Sequence, residues 1–453
     1  MSLTKASYSM ITGSPVNVFD FMTAAQIADV EAGTLALDVT DAILAAIASV
    51  TPTGGQVVFP VGKYSVTGYN TVTNTGGINL LGVQNVSLIG LSNGIYQDKS
   101  PEFVARTAGS FLFMLSANAT EATYNIYIEN ITFNGNKIIQ NVFTVNPFTG
   151  SEVTYNTLTR CNFLNVSPGG TLFSNQTAGA VFAESAIWYF QECGFACNGG
   201  IGELGNAVVI NNYGAWGYVF DRCHFDTLTQ YAHIRLIAGL IMLNNCQFDN
   251  SFAISGGTNV ADIEMYSSAG LTMNNCNSGS TNPFLVTYNK STTGKWDNYP
   301  IYINNCQSSA TYPPTNGIQH ITTNPIYVNG YYGSNVLLSG VPIEASAVGA
   351  TYLYQTNRDA NLFASQKAGA SADALTLASN DLSTFLETSV DSTVGVGVSS
   401  YKPSSGYMPY ILVASRFNLS TGIASYADNA AALAAGLVVG DLYRTVDTLK
   451  IVR

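Results

Sequence analysis

The hydrophobic and polar positions of the chain repeat with a period of 23 to 32 residues through its middle part. Each repeat has a short apolar strand, two polar residues, then Cys or Ile, a variable residue and often Phe. Such a period holds two or three short strands and leaves no room for a helix, which indicates one turn of a solenoid. The repeated segments are IYIENITF (126–133), NTLTRCNF (156–163), WYFQECGF (188–195), YVFDRCHF (218–225), IMLNNCQF (241–248), LTMNNCNS (271–278) and IYINNCQS (301–308).

This pattern predicts an all-β fold, namely a right-handed parallel β-helix solenoid with an N-terminal capping helix and a small β-rich C-terminal module. The polar pair between strands, often Asn-Asn, is expected at a tight corner, because Asn tolerates the left-handed backbone conformation. Cys and Phe lie two residues apart in a repeat, so they point to the same side of the strand, which we interpret as the interior.

Six of the seven cysteines occupy one position of successive repeats, at spacings of 32, 30, 23, 30 and 30 residues. Stacked coils bring such residues within disulfide reach, but the total is odd and the side chains of a column run parallel. We therefore expect reduced interior thiols that pack as small hydrophobic groups. The members of this column are Cys161, Cys193, Cys223, Cys246, Cys276 and Cys306.

The two ends of the chain follow other patterns. Residues 38–52 predict a short amphipathic helix, capped by Asp38 or Thr40 and ended before Pro52, which would cover the first coil. Residues 54–66 predict two strands joined by a Pro-Gly turn, and alternating apolar positions at 407–417 predict another strand. Residues 426–453 predict a helix that begins at Asp428 and ends at Gly436, followed by a hairpin.

The order NVFDF (17–21), DVTDAILAAI (38–47), GGQVVFPVGKYSV (54–66) and then Asn-rich coils resembles the pectate-lyase-like β-helix of bacteriophage tailspikes and tail-associated glycan depolymerases. Residues 8–30 are similar to the initial segment of phage tail proteins, although they lack the usual GAxGDGxTDDTxA motif. The resemblance covers roughly residues 8–340. It supplies no fixed catalytic motif, because the catalytic residues differ between members of the family.

The resemblance implies a virion protein of the phage tail, made in the host cytoplasm, that binds and cleaves a bacterial surface polysaccharide (capsule or O-antigen) during adsorption. It also implies a homotrimer. The alternatives are a non-catalytic receptor-binding protein of the same fold and a structural tail component. The expected division is a virion-attachment segment (1–20) that docks on other tail proteins, an N-terminal cap (21–66), the β-helix (67–345) and a C-terminal trimerisation or receptor module (346–453).

Composition narrows the function further. The 453 residues are 47% apolar and only 10% charged, and 17 Lys+Arg against 28 Asp+Glu give a net charge of −11. A negative net charge disfavours binding to a phosphate backbone, so nucleic acid is excluded as a partner. We find no run of 18 apolar residues and no signal-peptide pattern, and expect a soluble protein without membrane insertion. With no C-x-x-C and three histidines, we expect neither a metal nor a cofactor.

One pair of neighbouring strands concentrates ionisable groups. If the apolar residues of 231–237 and 260–266 point inward, His233 and Arg235 face outward and lie opposite Asp262 and Glu264, with Tyr266 beside them as a substrate contact. Carboxyls two apart on a strand lie about 6.5–7 Å from each other, which suits an inverting glycosidase. Arg235 would hold Glu264 ionised. The alternative is two ion pairs on a solvated face. An enzyme is favoured, and a hydrolase over a lyase.

Three further groups of candidates compete with this pair. Asp226 and Asp249 occupy equivalent outward positions on adjacent coils, so they form either a carboxylate dyad or two splayed side chains at a corner. Glu184 is interpreted as a further acid on the His233 ladder. Trp216 and Trp296 lie in loops, where each either stacks on a sugar ring or packs half-buried.

Overall fold

A computed structural model gives the architecture. It describes residues 14–331 except 92–99, 177–182, 197–203, 227–228, 250–260, 280–282, 289–298, 309–317, 321–323 and 325, and beyond these the segments 336–339, 343–347, 353–356, 371–378, 385–391, 395–401, 425–437, 442–445 and 448–451. The candidate Trp296, the seventh cysteine Cys197 and the strand expected at 407–417 lie outside the described residues.

The chain forms a parallel β-solenoid with three long faces, in agreement with the predicted fold class. Face 1 stacks Val16–Asn17 (β1), Gly55–Phe59 (β2), Val86–Gly90 (β5), Tyr127–Glu129 (β9), Asn156–Thr159 (β13), Ser185–Gln191 (β16), Ala215–Asp221 (β19), the second half of Thr229–Asn244 (β21), Ala269–Asn274 (β24), Ile301–Asn304 (β27), Ile326–Tyr331 (β30) and Ile343–Ala347 (β32). Face 2 stacks Lys63–Val66 (β3), Glu102–Ala105 (β6), Thr132–Asn134 (β10), Asn162–Leu164 (β14), Gly194–Ala196 (β17), His224–Asp226 (β20), Gln247–Asp249 (β22), Asn277–Ser278 (β25) and Gln307–Ser308 (β28).

Face 3 stacks Ile78–Leu81 (β4), Gly109–Ser116 (β7), Ile139–Asn146 (β11), Gly170–Gln176 (β15), Leu204–Asn211 (β18), the first half of β21, Ile263–Tyr266 (β23), Leu285–Tyr288 (β26), Ile318–His320 (β29), Val336–Ser339 (β31) and Leu353–Thr356 (β33). A short parallel pair, Thr123–Tyr124 (β8) and Val153–Thr154 (β12), lies between faces 3 and 1 on two coils. Each coil therefore visits face 1, face 2 and face 3 in turn, so that residues about 30 apart become neighbours.

The polar pairs form the corner between faces 1 and 2, as the pattern predicts. Asn245, Asn275 and Asn305 have φ of +54°, +52° and +51°, the left-handed conformation that Asn tolerates. The asparagine before each of these corner residues forms a hydrogen bond between coils. Nδ2 of Asn274 donates to Oδ1 of Asn244 on the preceding coil at 2.8 Å. Asn304 continues this ladder.

The interior is built from columns of identical residues. Phe163, Phe195, Phe225 and Phe248 stack with ring centroids 4.8–4.9 Å apart. Beside them run the six predicted cysteines, all free and buried, which confirms the interior column. Sγ of Cys223 donates to the carbonyl of Phe190 on the preceding coil at 3.4 Å, and Cys161, Cys193, Cys246 and Cys276 make the same kind of contact. Burial raises the pKa of the Cys223 thiol, which favours its neutral form.

The N-terminal part contains two helices where the sequence indicates one. Ala24–Ala32 (α1) is closed by a capping box between Thr23 and Gln26, and Thr40–Val50 (α2) is the predicted helix. The N-cap of α2 is Val39, not Asp38 or Thr40, but the Asp38 carboxylate accepts the Thr40 N–H at 2.9 Å. The buried side chains of α2 join the core of the first coils. Its role as a cap over the open end stays a prediction.

The boundaries expected at the two ends of the solenoid differ from the observed pairing. Val16 and Asn17 already pair with β2, and Val18 is fully buried, so the solenoid core begins inside the segment 1–20. At the other end, β33 pairs in parallel with β31, so the coils continue to Thr356 and pass position 345. Residues 1–13 lie outside the described part.

The chain divides into two units, 1–399 and 400–453. Ser371–Ala378 (β34), Phe385–Asp391 (β35) and Gly395–Tyr401 (β36) form a small sheet at the end of the first unit. The second unit contains the helix Asn429–Ala434 (α3), whose N-cap Asp428 accepts the Ala431 N–H, and the antiparallel hairpin Leu442–Thr445 (β37) and Thr448–Ile451 (β38). These agree with the helix and hairpin that the sequence predicts.

Candidate functional site

Asp262 and Glu264 do not form the outward pair that the sequence predicts, because Asp262 points to the interior and Glu264 does not. Asp262 has no exposed surface, and its Oδ2 accepts a hydrogen bond from the hydroxyl of Ser278, the residue that continues the interior phenylalanine column. A bend at Asp262 precedes the strand β23, which begins at Ile263. The inward–outward alternation holds only within a strand, so Asp262 turns inward with Ile263.

His233 also points inward and not outward. Its ring centroid lies 6.4 Å from that of Phe225 and 5.8 Å from that of Phe248, both core residues, and its side chain has no exposed surface. It faces Asp262 as expected, with Nδ1 3.3 Å from Oδ1. This pair belongs to the interior and cannot meet a polysaccharide.

Arg235 and Glu264 form the cross-strand pair that the alternation predicts on face 3. Nε of Arg235 lies 3.2 Å from Oε2 of Glu264, and Nη2 donates to the hydroxyl of Tyr266 at 2.6 Å. The Tyr266 hydroxyl lies 3.3 Å from Oε1 of Glu264, to which it donates. Burial and the negative charge of Glu264 raise the pKa of Tyr288 on the next coil to about 12.

This cluster is covered to a large extent, so it is not the solvated face that outward side chains would form. Glu264 keeps 10% of its side chain exposed and Arg235 keeps 30%. Tyr266, the predicted substrate contact, is buried, as are Val209 and Val286, which flank the pair in the same outward column. Arg235 is the part of the cluster that solvent reaches most.

Asp226 and Asp249 are cross-strand neighbours on face 2, as predicted. Both are partly exposed. Oδ2 of Asp249 accepts a hydrogen bond from Gln247 at 2.6 Å and lies 3.0 Å from Nε2 of His224. Gln247 and His224 thus stabilise the Asp249 carboxylate and offset its repulsion by Asp226.

Glu184 is not on the His233 ladder. The strand of its coil on face 3 is Gly170–Gln176, and Glu184 lies just before β16 of face 1. There it forms a parallel bridge with Glu152 on the preceding coil. Glu152 is a residue that the sequence reasoning missed. The signal was present, since Glu152 and Glu184 each lie nine residues before the column cysteine of their repeat.

Glu152 and Glu184 line one cavity of about 390 Å³, together with Ala122, Gly150 and Ser151. The same column carries small residues on both sides of the two acids. Ala122 precedes Glu152, since Val153 pairs with Thr123, and Gly214 follows Glu184, since Ser185 pairs with Ala215. Two acids from adjacent coils therefore share a solvent-accessible hollow.

Trp216 lies in the strand β19 and not in a loop as the sequence suggests, one coil beyond this cavity. It pairs with Ala186 and keeps 37% of its surface exposed, which leaves a face of the indole available for contact.

Four cations of the described residues form ion pairs within the chain. The pairs are Lys63 with Glu102, Arg160 with Glu129, Arg222 with Glu192 and Arg235 with Glu264. Among the described residues, no three His, Cys, Asp or Glu side chains come together to hold a metal ion. In the same part of the chain, no helix has the length and apolar character needed to cross a bilayer.

No protein-family model and no curated protein matches the chain. Solved structures similar to it include a surface adhesin of Streptococcus pneumoniae (12% identity, TM-score 0.44, 82% of this chain and 99% of that one). They also include the tailspike protein of an Acinetobacter phage (12%, 0.38, 85% and 79%) and the A-module of a mannuronan C-5 epimerase from Azotobacter vinelandii (14%, 0.39, 76% and 100%). Tailspikes, the class that the sequence resembles, are thus among the similar structures. At these identities the similarity concerns the β-helix fold alone.

Proposed function

We propose that this chain is a tailspike-type phage protein that binds and hydrolyses a bacterial surface polysaccharide, with Glu152 and Glu184 as the working carboxylates. The observation that carries the proposal is the cavity that these two acids share. Its volume lies within the range of about 300–1,000 Å³ typical of small-ligand pockets. Glycoside hydrolysis requires two carboxyl groups on either side of one glycosidic bond.

The spacing of the two acids favours the retaining reaction. Glu152 and Glu184 are bridge partners on adjacent coils, whose backbones lie about 4.8 Å apart. Side chains that extend in parallel from such positions have carboxyls near that separation. Retaining enzymes hold their carboxyls about 5–5.5 Å apart. One carboxylate attacks the anomeric carbon while the other carboxylic acid protonates the leaving oxygen. Water then releases the sugar, and the second group acts as the base.

Assembly and location belong to the same proposal. We infer from the resemblance in sequence a homotrimer in the virion tail, made in the host cytoplasm, in which the segment 1–20 docks on another tail protein. The expected particle mass is about 144 kDa, three times the 48.0 kDa chain. Light scattering of the full-length protein tests this, and a 48.0 kDa species would contradict it.

The activity is tested with purified capsule and O-antigen from candidate hosts. A hydrolase releases oligosaccharides with new reducing ends and without the ultraviolet absorbance of an unsaturated sugar. Products that absorb would indicate a lyase. Glycan binding without any product would leave the non-catalytic receptor-binding function.

A further inference from the structure

One corner of the solenoid carries a left-handed residue on each of five successive coils, three positions after the cavity column. These positions stack on one another, because Ser87 pairs with Tyr127, Tyr127 with Thr157, Thr157 with Tyr189 and Tyr189 with Val219. The five residues are Asn85 (φ +57°), Asn125 (+57°), Tyr155 (+57°), Ile187 (+58°) and Gly217 (+72°).

Two of the five are residues that this conformation disfavours. Asn and Gly adopt positive φ readily, whereas the Cβ of Tyr155 and the branched Cβ of Ile187 approach the backbone too closely. An Asn at either position would be less strained, and the coils on each side carry Asn125 and Gly217. Tyr155 and Ile187 are therefore present at an energetic cost to the fold.

Burial of the side chain does not account for this cost at Tyr155, which is 56% exposed. Ile187 is partly exposed, and the core positions beside the two residues are filled by Val153 and Trp188. Strained backbone positions cluster at functional sites in proteins.

The two strained residues occur on the same two coils as the two glutamates. Glu152 is followed three residues later by Tyr155, and Glu184 by Ile187. The preceding coil has Ala122 and Asn125 at these positions, and the following coil has Gly214 and Gly217. Three residues of extended chain span about 10 Å, so each pair lies within reach of one short oligosaccharide.

We propose that Tyr155 and Ile187 form the sugar-binding subsite of the Glu152–Glu184 cavity, and that the residue bound there is an uncharged sugar. An exposed aromatic ring beside a branched aliphatic side chain matches the apolar face of a pyranose, while the Tyr155 hydroxyl is able to hydrogen-bond a sugar hydroxyl. A uronic or sialic acid would bring a second negative charge next to the ionised member of the Glu152–Glu184 pair. This inference rests on the proposed function.

The test replaces each strained residue by the one that neighbouring coils use. Tyr155→Asn and Ile187→Asn should raise the thermal midpoint, since Asn relieves the strain, yet weaken glycan binding about tenfold, as loss of an interface anchor does. Tyr155→Phe should keep most of the affinity. Tyr302→Thr is the matched control, because Tyr302 is also exposed on face 1 but lies on a distant coil, where Thr272 holds the same position. It should bind as the wild type does.

Binding is measured by calorimetry with paired neutral and carboxylated oligosaccharides of the host glycan type. A lower midpoint with full affinity in Tyr155→Asn would overturn the inference and assign the residue a structural role. Preference for the carboxylated member would overturn the substrate class. If the wild type binds neither oligosaccharide nor any host glycan, the proposed function fails and the inference fails with it. If the wild type and Tyr155→Asn bind with equal affinity, the inference alone is overturned.

Discussion

Nδ1 of His233 lies 3.3 Å from Oδ1 of Asp262 in the interior of the solenoid, and neither side chain has any exposed surface. The pair occupies the coils where the phenylalanine column ends at Phe248 and Ser278 takes its place. Ser278 donates its hydroxyl to the second oxygen of Asp262. The core therefore changes at this level from stacked rings to a hydrogen-bonded polar network.

This arrangement predicts that Asp262 matters for stability and not for catalysis. Removing one partner of a buried pair leaves the other without compensation and costs about 3–5 kcal/mol. Asp262→Ala should therefore lower the free energy of unfolding by that amount in urea titrations at neutral pH. Glu264→Gln is the control, because the amide keeps the side-chain shape and Arg235 keeps 30% of its side chain exposed, so this variant should lose less free energy than Asp262→Ala. Equal losses in the two variants would contradict the interior placement of Asp262.

The two cavity acids, Glu152 and Glu184, should be needed for activity and not for stability. Glu152→Gln and Glu184→Gln remove a nucleophile or an acid and base while keeping the side-chain shape, so turnover should fall about 10²–10⁴-fold with the thermal midpoint unchanged. Asp226→Asn, Asp249→Asn and Glu264→Gln are expected to retain activity. Full activity in both cavity variants together with an inactive Asp226→Asn or Asp249→Asn would move the site to face 2.

A second buried histidine predicts a pH-dependent stability. Burial lowers the pKa of His320 from 6.5 to about 4, although its Nε2–H donates to the carbonyl of Asn324. Between pH 6.5 and pH 4 the histidine is therefore protonated in the unfolded chain but neutral in the folded chain. The free energy of unfolding falls as the pH drops through this range. The wild type should lose about 2 kcal/mol more than His320→Gln between pH 7 and pH 5 in urea titrations. Parallel curves for the two proteins would contradict this.

The cysteine column predicts the behaviour of the thiols. Burial raises the pKa of Cys161 and Cys223, and the described cysteines have no exposed sulfur to react. A thiol reagent should therefore modify these six slowly in the native protein. In denaturant without reductant it should find close to seven thiols per chain. A count lower by two or more would indicate disulfides.

The sequence by itself determined the period, the cysteine column and the corner asparagines. These follow from short-range rules, because the strand alternation places Cys223 and Phe225 on the same, inward side, and a left-handed corner selects Asn275. The cross-strand partnership of Arg235 and Glu264 also followed, since both lie within strands.

Only the tertiary structure decided the direction of residues at strand ends and the neighbours of each corner. A bend before Ile263 turned Asp262 inward, and the alternation rule does not extend through a bend. The position of Glu184 before face 1 placed it next to Glu152 and not on the His233 ladder. Coil lengths vary from 23 to 32 residues, so the pairing of corner residues depends on where each loop absorbs the difference, and packing of the whole coil settles that.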